Sequence, residues 1–182
     1  MSTRPKKDLS TAPPPSPTTA SSLPIGKLAS QTRIFISYHR GDTDPAAAHL
    51  HASLARRFGI DRVFRDRATI QPGQDFAKVI DAAISATSVV IALIGRRWLT
   101  TKMRGKRHLK KPTDYVGLEL ESALRHKVQV IPVLVDGARM PTRRDLPASI
   151  GDLADRNAWH EGIARLGHRI AQIQLERAER AI

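Results

Sequence analysis

The run Ser88-Val-Val-Ile-Ala-Leu-Ile94 is almost wholly apolar, and no other stretch limits the available folds as strongly. It is far shorter than the roughly 20 residues that span a bilayer, and it is rich in β-branched side chains, so it reads as a strand covered on both faces. Val128-Gln-Val-Ile-Pro-Val-Leu-Val135 repeats the pattern, with Pro132 removing one ladder donor and so placing the strand near an edge or ending it early. Arg33-Ile-Phe-Ile-Ser37 and Arg62-Val-Phe64 read as two shorter strands. Strands apolar on both sides need helices on both faces, which predicts a parallel sheet with right-handed crossovers.

The segments between strands have helical periodicity. Asp44-Pro45 marks a helix start, with Asp44 as cap and Pro45 at the first helical position; Leu50, Leu54 and Phe58 form its apolar stripe, and Gly59 ends it. Asp75 caps a second helix with Phe76, Val79, Ile80, Ala83 and Ile84 on its inner face. Asp114 caps a third, in which Val116, Leu120 and Leu124 share a stripe. Residues 155–159 form a short last strand and 161–181 a closing helix. Pro72-Gly73 marks a turn in the loop from Arg65 to Gln74. In such sheets ligands bind beyond the carboxyl ends of the strands. The segments after Ser37, Phe64 and Ile94, and the start of the Asp114 helix, converge there.

The 182 residues suit one domain, 31–182, preceded by an arm, 1–30, that holds half of the twelve prolines and no hydrophobic periodicity. Such a segment buries too little surface to offset its ordering entropy and is expected to be disordered. Pro13 to Pro15 and Pro17 argue against an amphipathic transit helix, and no apolar h-region marks a secretory signal. The formal charge of +13 is concentrated in two places: the arm carries +3 and residues 96–111 carry +8 with no acid among them. That basic run is a solvated loop or, alternatively, a grip on nucleic-acid phosphates or an anionic membrane surface. The absence of cysteine excludes disulfides and thiolate metal sites and fits a reducing, cytoplasmic setting. His49 and His51 are two apart, not the helical metal spacing of four, and neither a G-x-G-x-x-G loop nor a G-x-S-x-G elbow occurs.

Glu119 falls off the Val116–Leu120–Leu124 stripe, beside Tyr115 one turn earlier and Ser122 nearly one turn later. Near a helix start the macrodipole favours a carboxylate. The ordinary reading of such a glutamate is a solvated surface residue.

Six motifs in order change that reading: Ile34-Phe-Ile-Ser-Tyr38, Val63-Phe-Arg-Asp66, Ile70-Gln-Pro-Gly73, Ser88 to Ile94 with Trp98, Asp114-Tyr-Val-Gly-Leu-Glu119, and Val130-Ile-Pro-Val-Leu-Val-Asp136. Together they resemble the Toll/interleukin-1 receptor (TIR) domain of the bacterial type, over roughly Arg33 to Ala178. The resemblance implies a flavodoxin-like fold with a five-stranded parallel sheet. It also implies one of two roles. One is an NAD⁺ glycohydrolase that cleaves the nicotinamide–ribose bond to give ADP-ribose or a cyclic form, in bacterial defence or as a secreted, host-directed effector. The other is a non-enzymatic scaffold that signals through TIR–TIR contacts.

On the enzymatic side the family's helix glutamate corresponds to Glu119, with Tyr115 where the enzymes more often carry Trp. The loop Arg65 to Gln74 corresponds to the family's BB loop, which covers the site and rearranges on assembly. NAD⁺ would be a consumed substrate, not a resident cofactor. Tyr115 or Trp98 would stack on a base, His39, Arg40 and Arg65 would meet the diphosphate, and Tyr38 and Asp66 complete the expected set. Each has a plainer alternative: Tyr38, His39 and Arg40 as loop residues, Asp66 as a turn former, Trp98 as core.

Overall fold

Three of the strands have no solvated face. In the computed structural model, which describes residues 32–65, 75–98, 115–160 and 162–180, β1 (Ile34–Tyr38), β3 (Val89–Ile94) and β4 (Gln129–Leu134) are buried along nearly their whole length. A two-residue β2 (Val63–Phe64) completes an all-parallel sheet of order β2-β1-β3-β4. The arm, Asp66 and most of the BB-loop segment, the basic run beyond Trp98, and Asp114 lie outside the described residues.

Alternation along the strands divides the core in two. Phe35, Val90, Ala92, Ile94 and Val130 face one side, under α2 (Phe76–Ser85), α3 (Tyr115–Arg125) and a 3₁₀ segment (Ala148–Asp155). Ile34, Ile36, Tyr38, Val89, Ile91, Leu93, Ile131 and Val133 face the other, under α1 (Asp44–Phe58) and α4 (Ile163–Glu179). The expected layering, helices on both faces of a parallel sheet, is therefore present.

Local chemistry accounts for the helix ends. Asp75 caps α2 by accepting from Ala77 N at 3.1 Å and Lys78 N at 3.3 Å. The start of α1 differs from the sequence reading: Thr43 occupies the cap, and the Asp44 carboxylate reaches back to the Gly41 N–H.

The fifth strand is reduced to a single parallel bridge between Val133 and Trp159, and Pro132 supplies the reason. Trp159 N donates to Pro132 O at 2.7 Å, and Leu134 N donates to Trp159 O at 3.5 Å. Continuing that ladder towards residue 157 would need the N–H of residue 132, which proline lacks. The pairing stops there, and the edge of β4 before it stays open.

A buried glutamate at the mouth of the sheet

The order β2-β1-β3-β4 reverses direction between β1 and β3, and at such switch points loops leave the sheet in opposite directions and open a crevice. Ser37 is the second-last residue of β1 and points to the face carrying α3. Its hydroxyl donates to Glu119 Oε2 at 2.7 Å. Both residues are 1% exposed.

Glu119 is thus a buried carboxylate rather than a solvated one. The helix stripe is wider than Val116, Leu120 and Ala123 alone, because the sheet covers α3 from below and α2 packs along its flank. Ser122 turns to α2, where it meets Asp81, and Glu119 turns to the sheet, where it meets Ser37. One turn before Glu119, the half-buried Tyr115 ring stacks on Phe76 of α2, with ring centres 4.5 Å apart and planes tilted by 31°.

The loops beyond β1 and β3 are laced together. Asp42 Oδ1 accepts from both Arg97 N and Arg97 Nε at 3.4 Å, and the Arg97 guanidinium also donates to Gly41 O. Gly95 permits the close approach, since a Cβ there would lie 2.4 Å from Thr43 Cγ2 and 2.5 Å from Asp42 Oδ2.

The other expected site residues divide. His39 follows β1 directly and lies edge-on to Trp98, with ring centres 6.2 Å apart. Arg40 is exposed at the same turn and Arg65 half-buried just after β2. Trp98 is fully buried in the core cluster beneath α3. Tyr38 is buried too, but on the opposite face, against α1 and α4. Strand alternation forces that outcome, because Ser37 and its neighbour cannot both face Glu119. Asp66 is outside the described residues. Sequence reading gives Phe76 only a place on the inner face of its helix and Ser37 no site role; Ser37 lies within a quoted motif, and its alternation with Ile36 and Tyr38 is the available signal.

A larger cleft of about 490 Å³ runs along the outer edge of β4 beside Gln129, Val130 and Ile131, with Arg156, His160 and Arg169 around it. It lies against the first half of that strand, away from the strand tips. Among the described residues no group of three His, Asp or Glu could hold a metal ion, and no helix is long and apolar enough to cross a membrane.

The profile of the TIR domain family matches residues 34–166. No curated protein is matched. Among solved structures, the TIR domains of the activated Roq1 resistosome, described as directly recognizing the pathogen effector XopQ, are similar in fold at 13% identity and a TM-score of 0.52, covering 81% of this chain and 99% of that one. With the family profile spanning most of the chain and a parallel α/β sheet beneath it, this chain belongs to the TIR domain family.

Proposed function

We propose that this TIR domain is an NAD⁺ glycohydrolase with Glu119 as its catalytic residue. The observation that carries the reading is the Ser37–Glu119 pair, a fixed carboxylate at the carboxyl end of β1 beside the sheet's switch point. Nicotinamide in NAD⁺ is a cationic leaving group, so it departs without a general acid, unlike the leaving groups of ordinary glycosides with their two carboxyls. The C1′–N bond breaks, its electron pair neutralises the pyridinium, and positive charge develops on the ribose. A preorganised carboxylate stabilises that charge. Water then attacks C1′ and loses a proton, giving ADP-ribose; attack by a ring nitrogen of the adenine gives a cyclic product.

Glu119 is closed off from solvent, so turnover requires an opening step, and TIR–TIR association would supply it. The test is nicotinamide release by purified protein over a range of concentration, wild type against Glu119→Gln. Activity that rises with concentration and is lost in the variant supports the reading; turnover that survives the substitution overturns it.

The same closure favours a second reading, a non-enzymatic scaffold acting through TIR–TIR contacts in signal transduction. The Roq1 resistosome contains its TIR domains within an assembly, which supports self-association as the relevant behaviour. Assembly without any nicotinamide release would select this reading.

A further inference from the structure

Pro132 stops the fifth strand at Trp159, and the stretch of β4 before it keeps its outer backbone groups. Pro132 O and Leu134 N both bond Trp159, so both point away from β3. Residues two apart in a strand point their backbone groups the same way. Val130 therefore turns its N–H and its C=O to that same edge, where no strand of the described residues pairs with it. An edge of this kind is a template for one more strand.

The space beside that edge is open. The cleft of about 490 Å³ runs along Gln129, Val130 and Ile131, within the ~300–1,000 Å³ of ligand sites. Its walls come from both layers around the sheet: Arg156 follows the 3₁₀ segment on one face, and Arg169 and Ile173 belong to α4 on the other. No acidic side chain lines it. Arg156 is half-buried and has no carboxylate partner among the described residues. Arg169 has only Glu176 among them, at 3.4 Å on the same helix, with side chains 43% and 50% exposed. Water screens such a pair to little.

We propose that the open edge of β4 docks an extended, acidic segment of a partner protein, which adds to the sheet as a strand. Backbone pairing with Val130 sets the register. Alternate side chains turn to the two faces, and carboxylates among them meet Arg156 and Arg169. The charge selects the partner. Lys and Arg outnumber Asp and Glu by 30 to 17 in this chain, so a second copy would bring mostly like charge to the rim. An acidic segment brings the opposite charge. The edge lies away from the strand tips and does not depend on the glycohydrolase reading of Glu119.

The experiment titrates the full chain with a fluorescein-labelled peptide, Glu-Val-Glu-Glu-Val-Glu, by fluorescence polarisation. Two controls accompany it: the same peptide with Lys for Glu, and one N-methylated along its backbone. The acidic peptide should bind, and Arg156→Gln and Arg169→Gln should each weaken binding about tenfold, the effect of losing one charge-assisted hydrogen bond. N-methylation should abolish binding, because it removes the donors that Val130 O requires. Saturating acidic peptide should also slow amide exchange at Val130 about tenfold, as a bond to that N–H demands. No binding by the acidic peptide at millimolar concentration overturns the proposal, as does equal binding by the Lys peptide or by both arginine variants. Binding that leaves exchange at Val130 unchanged overturns it too, being charge attraction without an added strand. A Val130 amide already slow in the free protein, together with a dimer in sedimentation, would put a second copy at the edge and overturn the acidic partner.

Discussion

Ser122, nearly one turn beyond Glu119 on α3, donates its hydroxyl to Asp81 Oδ1 of α2 at 2.6 Å. The same oxygen is met by the Arg125 guanidinium and by His126 Nε2 at 2.9 Å. Two groups from the last turn of α3 and a third from His126 just beyond it therefore converge on a single carboxylate of α2. This contact holds α2 against the helix that carries Glu119, so the site depends on a polar clamp as well as on the apolar stripe.

The clamp makes stability sensitive to acid. The Ser122 hydroxyl, with His126 and Arg125, lowers Asp81 from 3.8 to about 2. A carboxyl lowered on folding contributes stability that is present above its unfolded value and lost as pH falls through its folded one. Urea midpoints of the wild type should decline between pH about 4 and about 2, and Asp81→Asn should flatten that decline. An identical pH profile in the variant would show that the clamp does not titrate as described.

Ser37 is expected to act through Glu119 as a positioning residue. Ser37→Ala removes the hydroxyl that donates to Glu119 Oε2, a change of about 1–3 kcal/mol in a buried setting. Nicotinamide release should fall about tenfold through kcat, whereas Glu119→Gln should lose ~10²–10³. Ser37→Thr, which keeps the hydroxyl, should recover part of the rate. A purely structural role would lower stability in Ser37→Ala without this kcat difference.

Gly95 is required by space rather than by backbone conformation. Gly95→Ala puts a methyl into the contact with Thr43 and Asp42, and should cost about 1–3 kcal/mol. Chemical denaturation measures it directly. A neutral result would mean that the β1 and β3 loops separate freely.

Pro132 sets where the sheet ends. Pro132→Val restores the missing donor on the outer edge of β4, and hydrogen exchange at residue 132 should then be slow, with a stability gain of up to about 1 kcal/mol. Fast exchange at that amide would show that residues before Trp159 cannot pair whatever stands at 132.

Much of the architecture was legible in the chain. The apolar runs at 88–94 and 128–135 dictate strands covered on both faces. Asp75 and Gly59 fix helix ends through their own chemistry. Pro132 announced an edge, and the ladder at Trp159 stops at its missing N–H. These are local effects, decided by a residue and its near neighbours.

Only the tertiary structure decided which side chains meet. Glu119 and Ser37 are 82 positions apart, and helical spacing alone placed Glu119 off the core stripe. It is buried because α3 lies on the sheet with Val116, Glu119, Leu120 and Ala123 on one face, and its carboxylate meets the Ser37 hydroxyl of β1; which partner it meets there is set by the crossing of helix and strand, not by the helix's own sequence. Tyr38 turns from Glu119 because the strand's pleat is locked in register with Leu93, and Trp98, at the turn closed by its N–H donating to Gly95 O at 3.2 Å, joins the core cluster that includes α3. Periodicity states which faces of an element are apolar; how many neighbours cover that element is settled when the layers assemble.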